Sequence, residues 1–278
     1  MSGTDDILAL LLAFGGGVLS TALLRLIGGA GTGARIAGVG LPIGFLTAWS
    51  WFAGFDFPPE GTFGLTAYIA LGGLCLGIIL DAMAVRKGPR LLTTVCFVGL
   101  CVWLALGSPD RMPGTPVTRI ELVLAAVILV VSWLGLLTRL KADHVPGRGA
   151  DGVMLILLLG LGLGLIALQA EAQAVAGPCL ALAMAAAGVL TVVWPMRLPL
   201  PLSAAYGGGG AVLGLAQSLA GSRPGTVVPL LVLSLILFVG PTARRLPKAI
   251  WCSPLWFFLL GLLPVGLATL LAYAARSH

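Results

Sequence analysis

Ten apolar stretches, separated only by short turns, follow one another along the whole chain. A transmembrane helix needs about 20 mostly apolar residues to cross the hydrocarbon of a bilayer. The stretches cover residues 7–27, 39–54, 64–80, 91–107, 120–138, 153–169, 175–194, 204–220, 226–241 and 254–274. Several are short for a full span, which is typical of tilted or re-entrant helices. The pattern predicts an all-α integral membrane protein with about ten transmembrane helices, in a single domain over residues 1–278.

The composition requires lipid as the solvent. Apolar residues make up 59% of the chain and charged residues 9%, whereas soluble domains carry about 25% charged residues. The net charge of +6 does not indicate nucleic acid, because the basic residues occupy short loops between apolar stretches. Membrane lipids are therefore the first predicted partner, and nucleic acid is excluded as one.

The basic residues are distributed unevenly between the two sides of the predicted bundle. When loops are assigned alternately, 12 of the 16 basic residues fall on one side. These are Arg25, Arg35, Arg86, Lys87, Arg90, Arg139, Lys141, Arg148, Arg197, Arg244, Arg245 and Lys248. The positive-inside rule makes this side cytoplasmic. Both termini then lie on the outer, periplasmic side of a bacterial inner membrane. The acidic start, with Asp5 and Asp6, lacks the basic residues of a signal peptide, so the first helix is expected to be retained.

Glycines and cysteines inside the apolar stretches indicate packing. Gly160–Gly164 and Gly207–Gly210 contain several glycines, and small residues let helices approach closely in lipid. No lysine and serine or threonine follow Gly207–Gly210 as a phosphate-binding loop requires. The five cysteines show no metal-binding spacing and are predicted to be small buried hydrophobes.

Three carboxylates lie on the basic side, and they are the main candidates for chemistry. Asp81 closes the third stretch, while Asp143 and Asp151 belong to the loop between the fifth and sixth. Carboxylates among cations at a membrane surface suit Mg²⁺ and phosphate, since Mg²⁺ takes one or two carboxylates together with phosphate oxygens. The alternative is that each aspartate pairs with a neighbouring Arg or Lys in a solvated loop.

The order of motifs resembles the polyprenyl-phosphate phospho-N-acetylhexosamine transferases, the MraY/WecA-like family. In that family a glycine-rich second helix, an aspartate pair closing the third helix, an Asn-x-x-Asp-Gly-x-Asp-Gly loop and a Gly-Asp-x-Gly-Ser motif follow in sequence. The counterparts here are Arg35–Gly40, Gly77–Ala82 with the basic loop Arg86–Leu92, Leu137–Asp143 with Gly149–Gly152, Val193–Arg197 with Tyr206–Gly208, and Arg244–Arg245. The resemblance covers most of the chain and includes the helix count and the outer N-terminus.

The resemblance implies transfer of a sugar phosphate from a nucleotide sugar to polyprenyl phosphate at the cytoplasmic face. It makes Asp81, Asp143 and Asp151 the catalytic carboxylates, of which Asp81 and Asp151 hold Mg²⁺. The residues implied to bind phosphate are Lys141, Arg148, Arg197, Arg244 and Arg245. Two carboxylates of the family pattern are missing, at Ala82 and in the stretch 203–207. The implied protein is therefore a divergent transferase, either active with Mg²⁺ or a catalytically degenerate pseudoenzyme.

Two further classes remain open. A non-catalytic subunit of a larger membrane complex, bound to another membrane protein or to a second copy of itself, needs no site. A small lipid or solute transporter is the other alternative. Transporters of this length usually keep both termini inside and place ionisable residues at the midplane. The charge distribution and the apolar helix centres argue against that class.

Overall fold

The computed structural model describes residues 3–59, 61–82, 87–107, 119–141, 148–222, 224–243 and 253–276. Within these ranges the chain is helical and contains no strand. The helices are α1 (Gly3–Gly28), α2 (Gly40–Phe52), α3 (Gly61–Ala82), α4 (Lys87–Gly107), α5 (Arg119–Lys141), α6 (Gly149–Gln169), α7 (Gln173–Met196), α8 (Leu202–Ser222), α9 (Val227–Leu233), α10 (Ile236–Ala243) and α11 (Ser253–Arg276). The prediction of an all-helical protein is confirmed.

Among the described residues, five helices are long and apolar enough to cross a membrane. They are Asp5–Gly28, Gly61–Asp81, Gly149–Gln169, Gln173–Met196 and Pro254–Arg276. In the most apolar windows of α1 and α11 only 22% and 28% of the residues are buried within the protein, whereas the shares in α6 and α7 are 78% and 72%. A helix that is apolar on all sides and yet exposed must face lipid. The protein is therefore membrane-embedded, with α6 and α7 at its centre.

One connection between predicted stretches is helical, and one predicted stretch is divided. After α1 the chain continues through a π-helical turn, Gly29–Gly33, and two further single turns before α2 begins. The ninth stretch divides into α9 and α10 at Ser234 and Leu235. There Ser234 Oγ donates to Leu231 O at 2.6 Å, and Leu235 N donates to Val232 O, three residues back. Such back-bonding bends helices.

Glycines bring the helices into close contact. A Cβ on Gly160 would lie 2.9 Å from Ala183 N, and one on Gly207 would lie 2.9 Å from Pro42 Cβ. A Cβ on Gly44 would lie 2.6 Å from Ala13 O, where α1, α2 and α7 meet. Only glycine allows these separations, so the prediction that the glycines serve helix packing is confirmed.

The described helix ends gather at two ends of the bundle. The helices α3 and α8 run antiparallel, since Gly77 lies against Ser203 and Gly73 against Tyr206. At one end the last turn of α3 contacts the first turn of α8, and Gly149 contacts the loop 197–201 that joins α7 to α8. Gly38, in the turn that follows α1, contacts Pro201 of the same loop. We call this the basic end, because Arg25, Lys141, Arg148 and Arg197 also lie there. At the opposite end Arg276 pairs with Glu171.

Candidate functional site

Asp81 binds the start of α8. Its Oδ1 accepts the backbone N–H of Leu202 at 3.2 Å, and its Oδ2 accepts that of Ser203 at 3.1 Å. The first N–H groups of a helix have no partner within the helix and carry its positive dipole end, so they favour a carboxylate. Asp81 lies 121 residues before Leu202 and is only 7% exposed. It is therefore a tertiary cap that fixes α8 to the end of α3.

Two glycines of α3 make this contact possible. Gly73 and Gly77 precede Asp81 at four-residue intervals, which is the spacing of one helix face. A Cβ on Gly77 would lie 2.3 Å from Ser203 Cα, and one on Gly73 would lie 2.5 Å from Tyr206 O. The backbones of α3 and α8 are thus in direct contact. This contact brings the Asp81 carboxylate within hydrogen-bond distance of the N–H groups of α8.

Asp151 is buried on the other side of the same loop. It lies in the first turn of α6, where a carboxylate interacts favourably with the helix dipole, and it is 6% exposed. Two residues earlier, a Cβ on Gly149 would lie 2.3 Å from Leu198 O. The first turns of α6 and α8 therefore both contact the loop 197–201. The third predicted carboxylate, Asp143, lies outside the described residues.

Arg197 opens that loop in a left-handed conformation. Its φ is 50° and its ψ is 38°, values that glycine adopts far more easily than arginine. Leu198 N donates to Val193 O and Arg197 N donates to Trp194 O, which closes α7 with a Schellman motif. The side chains of Arg197 and Arg148 are exposed at the basic end. Arg244 and Arg245 lie outside the described residues.

Lys141 forms a buried network with α4 and α8 that the sequence did not predict. Its Nζ donates to Thr94 Oγ1 at 2.6 Å and lies 5.2 Å from the ring centroid of Tyr206. Thr94 and Tyr206 share a hydrogen bond of 2.6 Å between their hydroxyl oxygens. Tyr206 is fully buried and Thr94 is 4% exposed. An ammonium over an aromatic face is stabilised by the ring quadrupole.

Two aromatic residues support this network from the apolar side. The Phe97 ring lies edge-on to Tyr206 at 5.6 Å and to Trp133 at 5.7 Å. Edge-to-face pairs at these distances are favourable and fix the ring orientations. Tyr206 stands directly before the run Gly207–Gly210, and two helices, α6 and α7, separate it from Lys141 along the chain. In the sequence, only the position of a tyrosine beside a glycine run and near a basic loop hints at this network. That position does not predict that Lys141 is the residue in contact with Tyr206.

The resemblance implies Mg²⁺ at the carboxylates of the basic end. Each Asp81 oxygen already accepts an N–H group, so each retains at most one lone pair for a cation. Among the described residues, no three His, Cys, Asp or Glu side chains form a metal-binding group. The described carboxylates alone thus do not complete a magnesium site.

Comparison of the sequence with known proteins identifies no relative. No family model matches the chain, and no curated protein matches it. What the protein does must therefore be inferred from Asp81, Asp151, Lys141 and Arg197 themselves.

Proposed function

We propose that the protein is a divergent member of the polyprenyl-phosphate sugar-phosphate transferases. In this proposal it spans a bacterial inner membrane about ten times, with its basic end in the cytoplasm and both termini outside. Support comes from the antiparallel contact of α3 with α8 at the basic end and from the 12 of 16 basic residues that the sequence assigns to that end. Its substrates are a polyprenyl phosphate, supplied from the membrane, and a nucleotide sugar, supplied from the cytoplasm.

One observation carries the proposal: residues that the resemblance selects from distant parts of the sequence meet around the start of α8. Asp81 binds the backbone of Leu202 and Ser203, and Lys141 lies over the ring of Tyr206. Asp151 follows Gly149, which packs on the loop that leads into α8. Carboxylates and cations together at one membrane face suit a phosphate-bearing substrate.

The reaction assigns each group a role. An oxygen of the polyprenyl phosphate attacks the sugar-bearing phosphorus of the nucleotide sugar, and the bond to the nucleoside monophosphate breaks. Lys141, Arg148, Arg197, Arg244 and Arg245 would bind the phosphate oxygens, and Asp81, Asp143 and Asp151 would serve as the catalytic carboxylates. A divalent metal bound by Asp81 and Asp151 would neutralise diphosphate charge.

A second candidate is a non-catalytic member that binds the lipid for a membrane-protein partner or in a homodimer. The capping role of Asp81 favours it, because both oxygens of that carboxylate are engaged by α8. The residue next to it, where the family has a second aspartate, is Ala82. The engaged oxygens of Asp81 and the alanine at position 82 both lower the number of charged oxygens available to replace the waters of Mg²⁺.

Release of uridine monophosphate from UDP-sugars tests the two candidates. Purified protein is incubated with undecaprenyl phosphate and Mg²⁺, and Asp151→Asn is compared with Asp56→Asn, a control at the opposite end. The transferase predicts release that Asp151→Asn abolishes and Asp56→Asn leaves unchanged. Absence of release by folded protein that still binds the lipid would establish the non-catalytic candidate. Release unaffected by Asp151→Asn would refute the assigned site.

A further inference from the structure

Lys141 is held in one place by two other helices. An ordinary lysine at a helix end extends its flexible stem so that the ammonium reaches water. Lys141 instead folds onto α4 and α8, where its Nζ donates to Thr94 at 2.6 Å and lies 5.2 Å from the Tyr206 centroid. Ionisable groups within membrane proteins are costly to bury and commonly mark functional sites.

The ammonium retains capacity for a ligand. A lysine has three N–H donors and no acceptor. One N–H is directed to Thr94, and no other hydrogen-bond acceptor for Lys141 occurs among the described residues. Lys141 is the last described residue of α5 and is half-buried, so its ammonium lies at the margin between the apolar bundle and the basic end.

Tyr206, whose ring lies beneath the Lys141 ammonium, occupies a position that bears on metal binding. Tyr206 lies within the stretch 203–207, where the resemblance places a carboxylate that this chain lacks. A carboxylate there could bind a metal, whereas an aromatic ring cannot. The Tyr206 ring and the Thr94 hydroxyl instead position the ammonium group of Lys141. A lysine binds phosphate as a compact point charge and needs no metal to do so.

We infer that Lys141, positioned by Thr94 and Tyr206, binds the phosphate group of a membrane lipid directly and without a divalent metal. The inference rests on the proposed function, because it assumes that a phosphate-bearing lipid reaches the basic end. Lys141 contacts the phosphate, while Thr94 and Tyr206 are positioning residues. Because the lysine is already ordered in the free protein, little rotamer freedom remains to be lost on binding.

Binding of undecaprenyl phosphate to the purified full chain, with Mg²⁺ or with EDTA, tests this inference. The wild-type affinity should be the same within about twofold in the two conditions. Lys141→Met should weaken binding about tenfold, or about 1.4 kcal/mol, in both. Lys141→Arg should restore most of the loss. Arg276→Gln, a loss of charge at the opposite end, is the matched control and should bind as the wild type does.

Two comparisons separate positioning from general stability. Thr94→Val and Tyr206→Leu should weaken binding of undecaprenyl phosphate about fivefold, on the order of one ordinary hydrogen bond, and leave binding of the neutral alcohol undecaprenol unchanged. Tyr206→Phe, which keeps the ring, should bind more tightly than Tyr206→Leu. Equal losses for both lipids would show a merely structural role and overturn the positioning assignment.

The outcomes also separate this inference from the proposed function. Abolition of binding by EDTA, or Lys141→Met binding as tightly as the wild type, would overturn the inference while leaving a metal-dependent transferase intact. Lysine-dependent binding without transfer would support the inference and reject the active enzyme. Competition by inorganic phosphate would assign the site to the phosphate group itself. Lysine-dependent binding without such competition would assign it to the lipid-presented headgroup.

Discussion

The Asp81 carboxylate joins two helices, because its Oδ2 accepts the backbone N–H of Ser203 at 3.1 Å. A single residue at the end of α3 thus accepts two N–H groups from the first turn of α8. Removing such a cap exposes unpaired N–H groups within an apolar bundle. We therefore expect this contact to contribute measurably to stability, independently of any chemistry at the basic end.

Substitution of Asp81 should lower the free energy of unfolding. Asp81→Ala removes both acceptors and should cost about 1–2 kcal/mol, the usual range for lost helix caps. Asp81→Asn keeps one oxygen acceptor and should cost less. Thermal unfolding of the detergent-solubilised protein measures both. Asp56→Ala, at an exposed site outside the basic end, serves as the control and should leave the unfolding temperature unchanged. An Asp81→Ala protein as stable as the wild type would contradict the capping role.

Gly77 should be intolerant of even one added methyl group. A Cβ there would lie 2.3 Å from Ser203 Cα, and both atoms belong to packed backbones that cannot rotate away. Gly77→Ala should therefore destabilise the protein by about 1–3 kcal/mol through overpacking. Gly72 lies on the same helix with nothing within 4 Å of its Cβ position. Gly72→Ala is the matched control and should be neutral or slightly stabilising. Similar unfolding temperatures for the two variants would contradict the direct α3–α8 contact.

The regular features of the fold could be predicted from the sequence because they depend on local patterns. Apolar stretches of near-membrane length predict helices regardless of their neighbours, and the glycine runs predict close packing. The division of the ninth stretch at Ser234 was missed, since it depends on a side-chain hydrogen bond to Leu231 O rather than on composition. Prolines and glycines, the usual signals of a break, do not occur at that point.

For the candidate site, the sequence could predict the charged residues but not the residues that they contact. Asp81, Lys141 and Asp151 were identified as important, but their partners were not. Leu202 and Ser203 offer backbone N–H groups, which carry no sequence signal, and they lie more than a hundred residues from Asp81. The Lys141 network likewise joins three helices through hydroxyl groups that are individually common in apolar segments. Such contacts arise from tertiary packing, so a single sequence does not specify them.

Arg197 provides a test of strain at the basic end. Its φ of 50° is the conformation in which a helix-terminating glycine would be preferred. Arg197→Gly should relieve about 1 kcal/mol of backbone strain. Arg197→Ala removes the same guanidinium but keeps a Cβ, so the difference between the two variants isolates the backbone. Thermal unfolding should rank Gly above Ala. The reverse order would indicate that the left-handed conformation is not maintained in solution.

The orientation of the bundle is the remaining prediction, and it determines where any phosphate substrate must be presented. The loop assignment from the sequence gives the basic end 12 of the 16 basic residues, and retention of cationic loops in the cytoplasm is the strongest topological signal in membrane proteins. Reporter fusions at Gly31, Lys87, Lys141 and Lys248 should therefore all report the cytoplasm. A fusion at Gly54, at the opposite end of α2 from Gly40, should report the outer side. External signals at any two of the four basic positions would reject the topology. A nucleotide sugar from the cytoplasm could then not reach Asp151, and the transferase proposal would fail with it.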